Sequence, residues 1–468
     1  MQEVEYIMVE HQRFDIDSLE ELKSTIAAIG ADIPLSEALS ILSTPISLGK
    51  KAIPNRIIIH PMEGCDGDAD GSPNNSVIRR YDRFARGGAG LLWVEATAVV
   101  LEGRANPRQL YLSRDNIDSF KGFFDGMMAA SNDAWIHGDG STVSLKPYTV
   151  IQLTHSGRYS RPTGKPKPII AARNPYLDKF LPEDYRIITD SELEVLEDKF
   201  FEAAVMANEI GFDAVDIKSC HRYLNSELLS AFTREGAYGG SFENRTRFLL
   251  NIIDKIRDRL GDSLDVTLRL NAYDAIPYPY GWGVDHDDFH VPDLSEPIKL
   301  VKLLQDRGVK LINISTGNPY YNPHVGRPYD LGYYTPPEHQ LKSTERMLKI
   351  IKTIQESYPD MAVIATGFSW LREFGAMIAA GGIQNGWFKL AGFGRQAFAY
   401  PDFPRDIFTE GGMKRNKCCI ACSKCSEIMK DGGTTGCVIK DSAMYAPIYK
   451  ECRKGKPSLQ SGHIAEHV

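Results

Sequence analysis

Three side chains that could act on a carbonyl group crowd one short segment of the chain. Lys218, His221 and Tyr223 lie within residues 218–223, where the β-rich run Ala214–Lys218 ends. Two nitrogen donors can polarise a carbonyl oxygen, and a nearby phenol can deliver a proton to the adjacent carbon. The same segment is also compatible with a surface turn, in which the lysine is solvated and the tyrosine packs on a helix.

A second chemical signal is the uneven distribution of cysteine. Of the eight cysteines, six lie in residues 418–468, and from Cys419 the spacing is C-x2-C-x2-C-x11-C. Clustering at one end of a long chain indicates metal binding rather than a disulfide scaffold. Four thiolates so spaced can hold an iron–sulfur cluster or a zinc ion, and an array that has lost its metal would look the same. The predicted ligands are Cys419, Cys422, Cys425 and Cys437.

These residues need a scaffold, and β-rich runs that alternate with amphipathic stretches provide one. Eight such units in about 350 residues predict a closed (β/α)8 barrel, with its active site at the carboxyl ends of the strands. Ser191 and Glu194 suggest a capping box for the helix before the fourth strand. The predicted strands are Arg56–His60, Gly90–Val99, Thr149–Leu153, Ala214–Lys218, Asp265–Leu270, Lys310–Ser315, Ala362–Thr366 and Trp387–Ala391.

Composition narrows the class of protein. With 43% hydrophobic residues, 25% charged residues and a net charge of −7, the 468-residue chain is typical of a globular protein and argues against nucleic-acid or membrane partners. Its acidic beginning does not resemble a signal peptide, so we expect a cytoplasmic location. We expect three parts: a helical lead-in over 1–40, the barrel over 41–410 and a cysteine-rich tail over 411–468.

The ordered set of motifs resembles the Old Yellow Enzyme family of NADH:flavin oxidoreductases. The residues His221 and Tyr223, followed by Tyr238-Gly-Gly-Ser-Phe-Glu-Asn-Arg245, are similar to the fourth strand and following loop of that family. The resemblance implies that Tyr223 protonates the substrate and that His221 binds its carbonyl oxygen. Lys218 stands where the family has histidine, so its role as a second donor is a separate expectation.

The same resemblance implies an FMN site. Pro61 and Met62 would lie beside the flavin, and Glu63 stands where relatives carry Thr or Cys. The segment Gly392-Phe-Gly-Arg-Gln-Ala397 matches a dinucleotide fingerprint, but the following acidic strand of such a unit is missing, and a barrel phosphate pocket fits better. The remaining implied flavin contacts are Ala96, Gln152, Arg269, Gly367, Gly394 and Arg395.

The resemblance extends to the tail, since the barrels of trimethylamine dehydrogenase and dienoyl-CoA reductase end in similar cysteine arrays that hold a [4Fe–4S] cluster. Without a built-in NAD(P) domain, the reductant would be external NAD(P)H or an electron-donor protein. The leading expectation is an ene-reductase for α,β-unsaturated carbonyl or carboxyl compounds. The alternatives are an FMN and iron–sulfur amine or alcohol dehydrogenase, with Tyr320, Tyr321 and Trp282 as a cation-binding bowl, and a non-catalytic electron-transfer subunit.

Overall fold

Short runs rich in Ile, Val, Leu and Ala form the centre of the fold. The computed structural model describes residues 10–132, 135–136, 142–143 and 145–456. Eight parallel strands close into a barrel in the order β4-β5-β6-β7-β8-β1-β2-β3, and β3 pairs with β4. The strands are β1 Ile57–Ile59, β2 Leu91–Ala98, β3 Tyr148–Thr154, β4 Ala214–Ile217, β5 Asp265–Tyr273, β6 Leu311–Thr316, β7 Ala362–Ala365 and β8 Leu390–Phe393.

The barrel confirms the predicted fold class, and all eight predicted strands overlap an observed strand. The eighth begins three residues later than predicted, at Leu390, because Trp387 and Phe388 are buried in the turn before it and not in the strand itself. The fifth continues three residues beyond its predicted end at Leu270, to Tyr273. The capping box is also shifted, since Thr189 and Glu192 make it.

Helices surround the barrel and continue into the tail. Each long helix buries one apolar face, and the buried side chains of strands and helices merge into one large core. Among the described residues no helix is both long enough and apolar enough to cross a membrane. The helices are α1 Leu19–Ala28, α2 Asn75–Arg86, α3 Ile117–Ser131, α4 Pro175–Asp178, α5 Asp190–Ile210, α6 Leu224–Leu229, α7 Phe242–Leu260, α8 Ser295–Asp306, α9 Pro323–Gly326, α10 Gln340–Ser357, α11 Gly375–Gln384, α12 Arg395–Ala399, α13 Phe403–Glu410, α14 Lys424–Lys430 and α15 Ser442–Arg453.

A separate apolar cluster fills the barrel interior near the amino-terminal ends of the strands, so that end of the barrel is closed. The antiparallel strands Ile46–Leu48 and Lys51–Ile53 contribute Leu48 and Ile53 to this cluster, where Trp93 and other strand residues meet them. The hairpin therefore packs at the amino-terminal end of the strands. Loops after the strands are left to build a cavity at the opposite end.

Both ends of the described chain pack against these carboxyl-terminal loops. Near the start, the Phe14 amide and the Trp370 indole both donate to Asp330 Oδ1, at 3.0 and 2.6 Å. In the tail, the Thr435 amide donates to the Gly64 carbonyl at 2.6 Å. The tail thereby joins the loop after β1 and becomes part of the wall around the cavity.

Candidate active site

The turn after β4 gathers the three residues that the sequence singled out. His221 and Arg222 both have left-handed backbone angles, with φ of 64° and 59°, a conformation that non-glycine residues adopt only when their surroundings hold it. The buried Arg222 side chain supplies that hold through an ion pair of 2.8 Å with Asp274. As a result Lys218, His221 and Tyr223 all line one cavity at the mouth of the barrel.

A carboxylate from the loop after β1 meets these residues. Glu63 Oε1 accepts hydrogen bonds from Lys218 Nζ and from the Tyr223 hydroxyl, each at 3.1 Å. Lys218 Nζ also lies 3.7 Å from the centre of the Tyr223 ring, a cation–π distance. The Tyr320 hydroxyl is 3.1 Å from that of Tyr223. The four side chains form one connected polar network inside the cavity.

Burial and charge set the protonation of this network. Burial, with the Glu63 carboxylate as a further cause, holds the pKa of Tyr223 well above its usual value. Burial, together with the positive charges of Arg269 and Lys218, holds the pKa of His221 well below its usual value. At neutral pH Tyr223 therefore keeps its proton, and His221 is a neutral imidazole with one N–H to donate.

Glu63 is positioned by a buried ion network beneath its loop. The Arg80 guanidinium contacts Asp66 at 2.6 and 2.9 Å and Glu95 Oε1 at 2.5 Å. Glu95 Oε2 accepts the Gly64 amide at 2.5 Å, which ties the residue after Glu63 to β2. Burial raises the pKa of Glu95 to about 7, and Arg80 is the chief opposing charge.

The loops after β7 and β8 form a second corner of the same cavity, and its residues fit a phosphate group. Gly367 has a left-handed φ of 103°, and a Cβ on Gly394 would lie 2.8 Å from Met62 Sδ. Arg395 Nη1 and Arg269 Nε are buried without a hydrogen-bond partner in the described part of the chain. Buried donors with no acceptor indicate a missing ligand. An anionic flavin would satisfy them.

Most of the predicted flavin and catalytic residues come together here. Those that line the cavity are Pro61, Met62, Glu63, Lys218, His221, Tyr223, Arg269, Gly367, Gly394 and Arg395. Ala96 and Gln152 are not among its lining residues in the described chain. Both are buried, and the Gln152 amide instead donates to Asp216 Oδ2 at 2.5 Å.

His60 and Arg327 are among the lining residues to which the sequence assigned no role. His60 is buried, neither of its ring nitrogens makes a hydrogen bond of normal geometry among the described residues, and burial holds its pKa well below the usual value. Arg327 follows β6 and donates to the Ser426 hydroxyl of the tail at 2.9 Å. The position of His60 at the end of a predicted barrel strand could have indicated a site residue, but no motif surrounds Arg327.

The four predicted metal ligands share a smaller cavity beside the first. Cys419, Cys422, Cys425 and Cys437 all line it together with Arg395, and Cys425 also lines the larger cavity. Backbone amides of Ala421 and Lys440 donate to the sulfurs of Cys419 and Cys437. Within the described ranges, however, no three His, Cys, Asp or Glu side chains are arranged to hold a metal ion. The thiols surround a space without forming a closed ligand set.

Comparison with known proteins gives a consistent match. Residues 41–411 match the NADH:flavin oxidoreductase / NADH oxidase family. An NADH oxidase of Thermoanaerobacter brockii is 28% identical over 383 residues, covering 80% of this chain and 52% of that protein. A cinnamate reductase of Clostridium sporogenes is 27% identical over 418 residues, covering 86% and 58%. The chain thus spans little more than half the length of these two relatives.

The barrel also matches solved structures. An Old Yellow Enzyme homologue from Zymomonas mobilis has a TM-score of 0.59 and 20% sequence identity, covering 80% of this chain and 94% of that one. At this identity the likeness concerns the fold alone. It agrees with the closed barrel described above.

The ion network below Glu63 can be tested through stability. Arg80→Met leaves Asp66 and Glu95 buried without their cation, which should lower the free energy of unfolding by about 3–5 kcal/mol. Without the Arg80 charge the pKa of Glu95, about 7 in the folded wild type, should rise further, so the deficit should grow as pH rises from about 6 to 8. Urea unfolding at several pH values measures both effects.

The matched control is Arg86→Met on the same helix, because the ion pair of Arg86 with Asp82 is largely exposed. Its expected cost is below about 1 kcal/mol. Equal losses in the two variants would contradict a special role for the buried network.

Proposed function

The chain belongs to the NADH:flavin oxidoreductase / NADH oxidase family, and from that premise we propose that it is an FMN-dependent ene-reductase. Its substrates would be α,β-unsaturated carbonyl or carboxyl compounds. The observation that carries the proposal is the convergence of Lys218, His221 and Tyr223 on the cavity that also contains the unpartnered Arg395 and Arg269 atoms. The relative from Clostridium sporogenes is named a cinnamate reductase, which supports this substrate class.

The residues that would hold FMN lie on the barrel. Arg395, with the backbone near Gly367 and Gly394, would bind the phosphate, since a guanidinium and backbone amides suit a dianion. Arg269 would offset negative charge on the flavin ring, and Pro61 and Met62 would contact it. Bound FMN in its reduced form would supply the hydride, with NAD(P)H or an electron-donor protein as the external reductant.

The chain's own residues would then handle the substrate oxygen and the proton. Lys218 and His221 present N–H groups to the cavity, so a carbonyl oxygen placed there is stabilised as negative charge develops on it. Tyr223 retains its proton at neutral pH and stands beside the same position. We assign Tyr223 as the acid that protonates the α-carbon.

Amine oxidation is a second candidate, favoured by the aromatic wall of the site. The rings of Tyr159 and Tyr320 stack with centroids 4.0 Å apart, and Tyr320 lines the cavity. Trp282 packs near Arg245 instead and is absent from the described lining residues, so it would not contribute. Because Glu63 is already paired with Lys218, no carboxylate among the described lining residues is free to bind an ammonium substrate, and ene-reduction is the better proposal.

For the tail we propose that Cys419, Cys422, Cys425 and Cys437 ligate an iron–sulfur cluster. Their common cavity and the amide donors to two sulfurs support this assignment. Closing the set around a metal would require movement of the side chains, and no catalytic step is assigned to it.

Removal of the proposed acid should affect only one half of the reaction. Tyr223→Phe keeps the ring, so flavin content and flavin reduction should remain normal. Reoxidation of the reduced flavin by a panel of enones should slow by about 10² to 10⁴-fold, as expected for loss of a positioned acid. Stopped-flow absorbance measures both half-reactions.

Tyr238→Phe is the control, since its buried hydroxyl donates to Glu197 and lies outside the residues that line the cavity. It should reoxidise within about threefold of wild type. A Tyr223→Phe variant with the same small effect for every accepted enone would place the acid elsewhere.

Charge reversal should test the phosphate corner. Arg395→Glu sets a carboxylate against the phosphate dianion, so the purified variant should contain little FMN by absorbance. The exposed Arg173→Glu makes the same charge change away from the cavity and should retain FMN. Full flavin occupancy in Arg395→Glu would contradict the proposed phosphate contact.

Metal content should decide the role of the tail. Cys422→Ala removes one proposed ligand and should lose iron from anaerobically purified protein while FMN remains, because the phosphate contacts are on the barrel. Cys452→Ala should leave iron unchanged. Zinc in the wild-type protein, or iron at wild-type levels in Cys422→Ala, would reject the assignment.

A further inference from the structure

Glu63 occupies the place in the cavity where Lys218 and Tyr223 would bind a substrate oxygen. A single oxygen, Oε1, receives both the Lys218 ammonium and the Tyr223 hydroxyl, at 3.1 Å each. One acceptor shared by two donors is the geometry that a substrate carbonyl oxygen would need at this place. Glu63 therefore already satisfies the donor pair from within the protein.

The carboxylate cannot easily leave this region. Its loop is fixed on one side by the Gly64 amide bond to Glu95 and on the other by the Thr435 amide, which donates to the Gly64 carbonyl at 2.6 Å. The Glu63 side chain is nevertheless 13% exposed and lines the cavity, whereas the Lys218 side chain is only 2% exposed. A group that binds Lys218 in this cavity therefore lies next to Glu63, whose Oε1 is 3.1 Å from Lys218 Nζ.

The groups that face the ion pair of Lys218 and Glu63 determine the charge at this part of the cavity. In the described chain Glu63 is the only carboxylate in an ion pair with Lys218. Tyr223 and Tyr320 face it from the loops after β4 and β6, and Cys65 follows on its own loop; their neutral forms add no positive charge. The charges of the lysine and the glutamate thus balance each other, whereas Arg269, a further cation that lines the cavity, is assigned to the proposed flavin ring.

We propose that Glu63 is a specificity-determining residue that selects neutral carbonyl acceptors and disfavours free carboxylates. A neutral oxygen can share the Lys218 and Tyr223 donors with Glu63. A substrate carboxylate would place a second negative charge beside Glu63 against one ammonium. This inference narrows the acceptor class of the proposed ene-reductase, but it concerns binding and is tested without turnover.

Two ligands of nearly equal shape provide the test. The saturated 3-phenylpropanoate and 3-phenylpropanamide differ in charge and cannot be reduced, and their dissociation constants follow from the absorbance change of the oxidised holoenzyme at pH 8. Wild type should favour the amide. In Glu63→Gln the ratio of the two constants should move toward the carboxylate by about 10- to 1000-fold, the range expected for removal of a like charge about 4 Å away.

Two further variants keep the test decisive. Glu194→Gln, an exposed position on α5, should leave the ratio unchanged. Lys218→Gln removes the cation and should shift the ratio by at least about tenfold toward the amide, so it decides the question if Glu63→Gln fails to retain FMN. An unchanged ratio in a flavin-loaded Glu63→Gln or Lys218→Gln, or no absorbance response to either ligand in any variant, would overturn the proposal.

The outcome is separable from that of the proposed function. Reoxidation of the reduced flavin by enones with no change in the binding ratio would reject Glu63 as the selecting residue and leave ene-reduction standing. A shifted ratio without reoxidation by any enone would support the selecting role and reject ene-reduction.

Discussion

The Arg80 guanidinium, buried between Asp66 and Glu95, is the interaction on which the rest of the site depends. It fixes the loop after β1 against β2, and that loop carries Glu63 into the cavity. In this position Glu63 accepts hydrogen bonds from both Lys218 and Tyr223, and the Gly64 carbonyl accepts one from the Thr435 amide of the tail. Because a buried cation is costly unless it is paired with carboxylates, the network also favours the arrangement of this loop that keeps both ion pairs.

Several contacts join the tail to the barrel, and the two cavities lie side by side where the tail and the barrel meet. Arg327 after β6 donates to the Ser426 hydroxyl, and the side-chain oxygen Oε1 of Gln396, after β8, accepts a hydrogen bond from the Cys419 amide at 3.0 Å. Arg395 lines both cavities, as does Cys425. A charge on these cysteines would therefore lie close to Arg395, the residue proposed to bind the flavin phosphate.

The sequence predicted what local patterns can encode. The strands follow from apolar runs, and Lys218, His221 and Tyr223 were recognisable because they lie close together along the chain. Glu63 meets Lys218 across 155 positions, and only the closed barrel reveals that contact. The predicted end of β5 at Leu270 was too early. The polar and apolar alternation continues to Tyr273, and the strand follows it through a register shift between Asn271 and Tyr273.

The order of the wall residues along the chain bears on how the protein is assembled. Barrel loops supply most of the cavity, whereas Ser426, Met429, Lys430 and Thr435 follow the last barrel strand. During synthesis the barrel can fold while these residues are still unmade. Until the tail docks, this cavity therefore lacks one of its sides. A group as large as the proposed FMN could enter through that side before the tail docks and covers it.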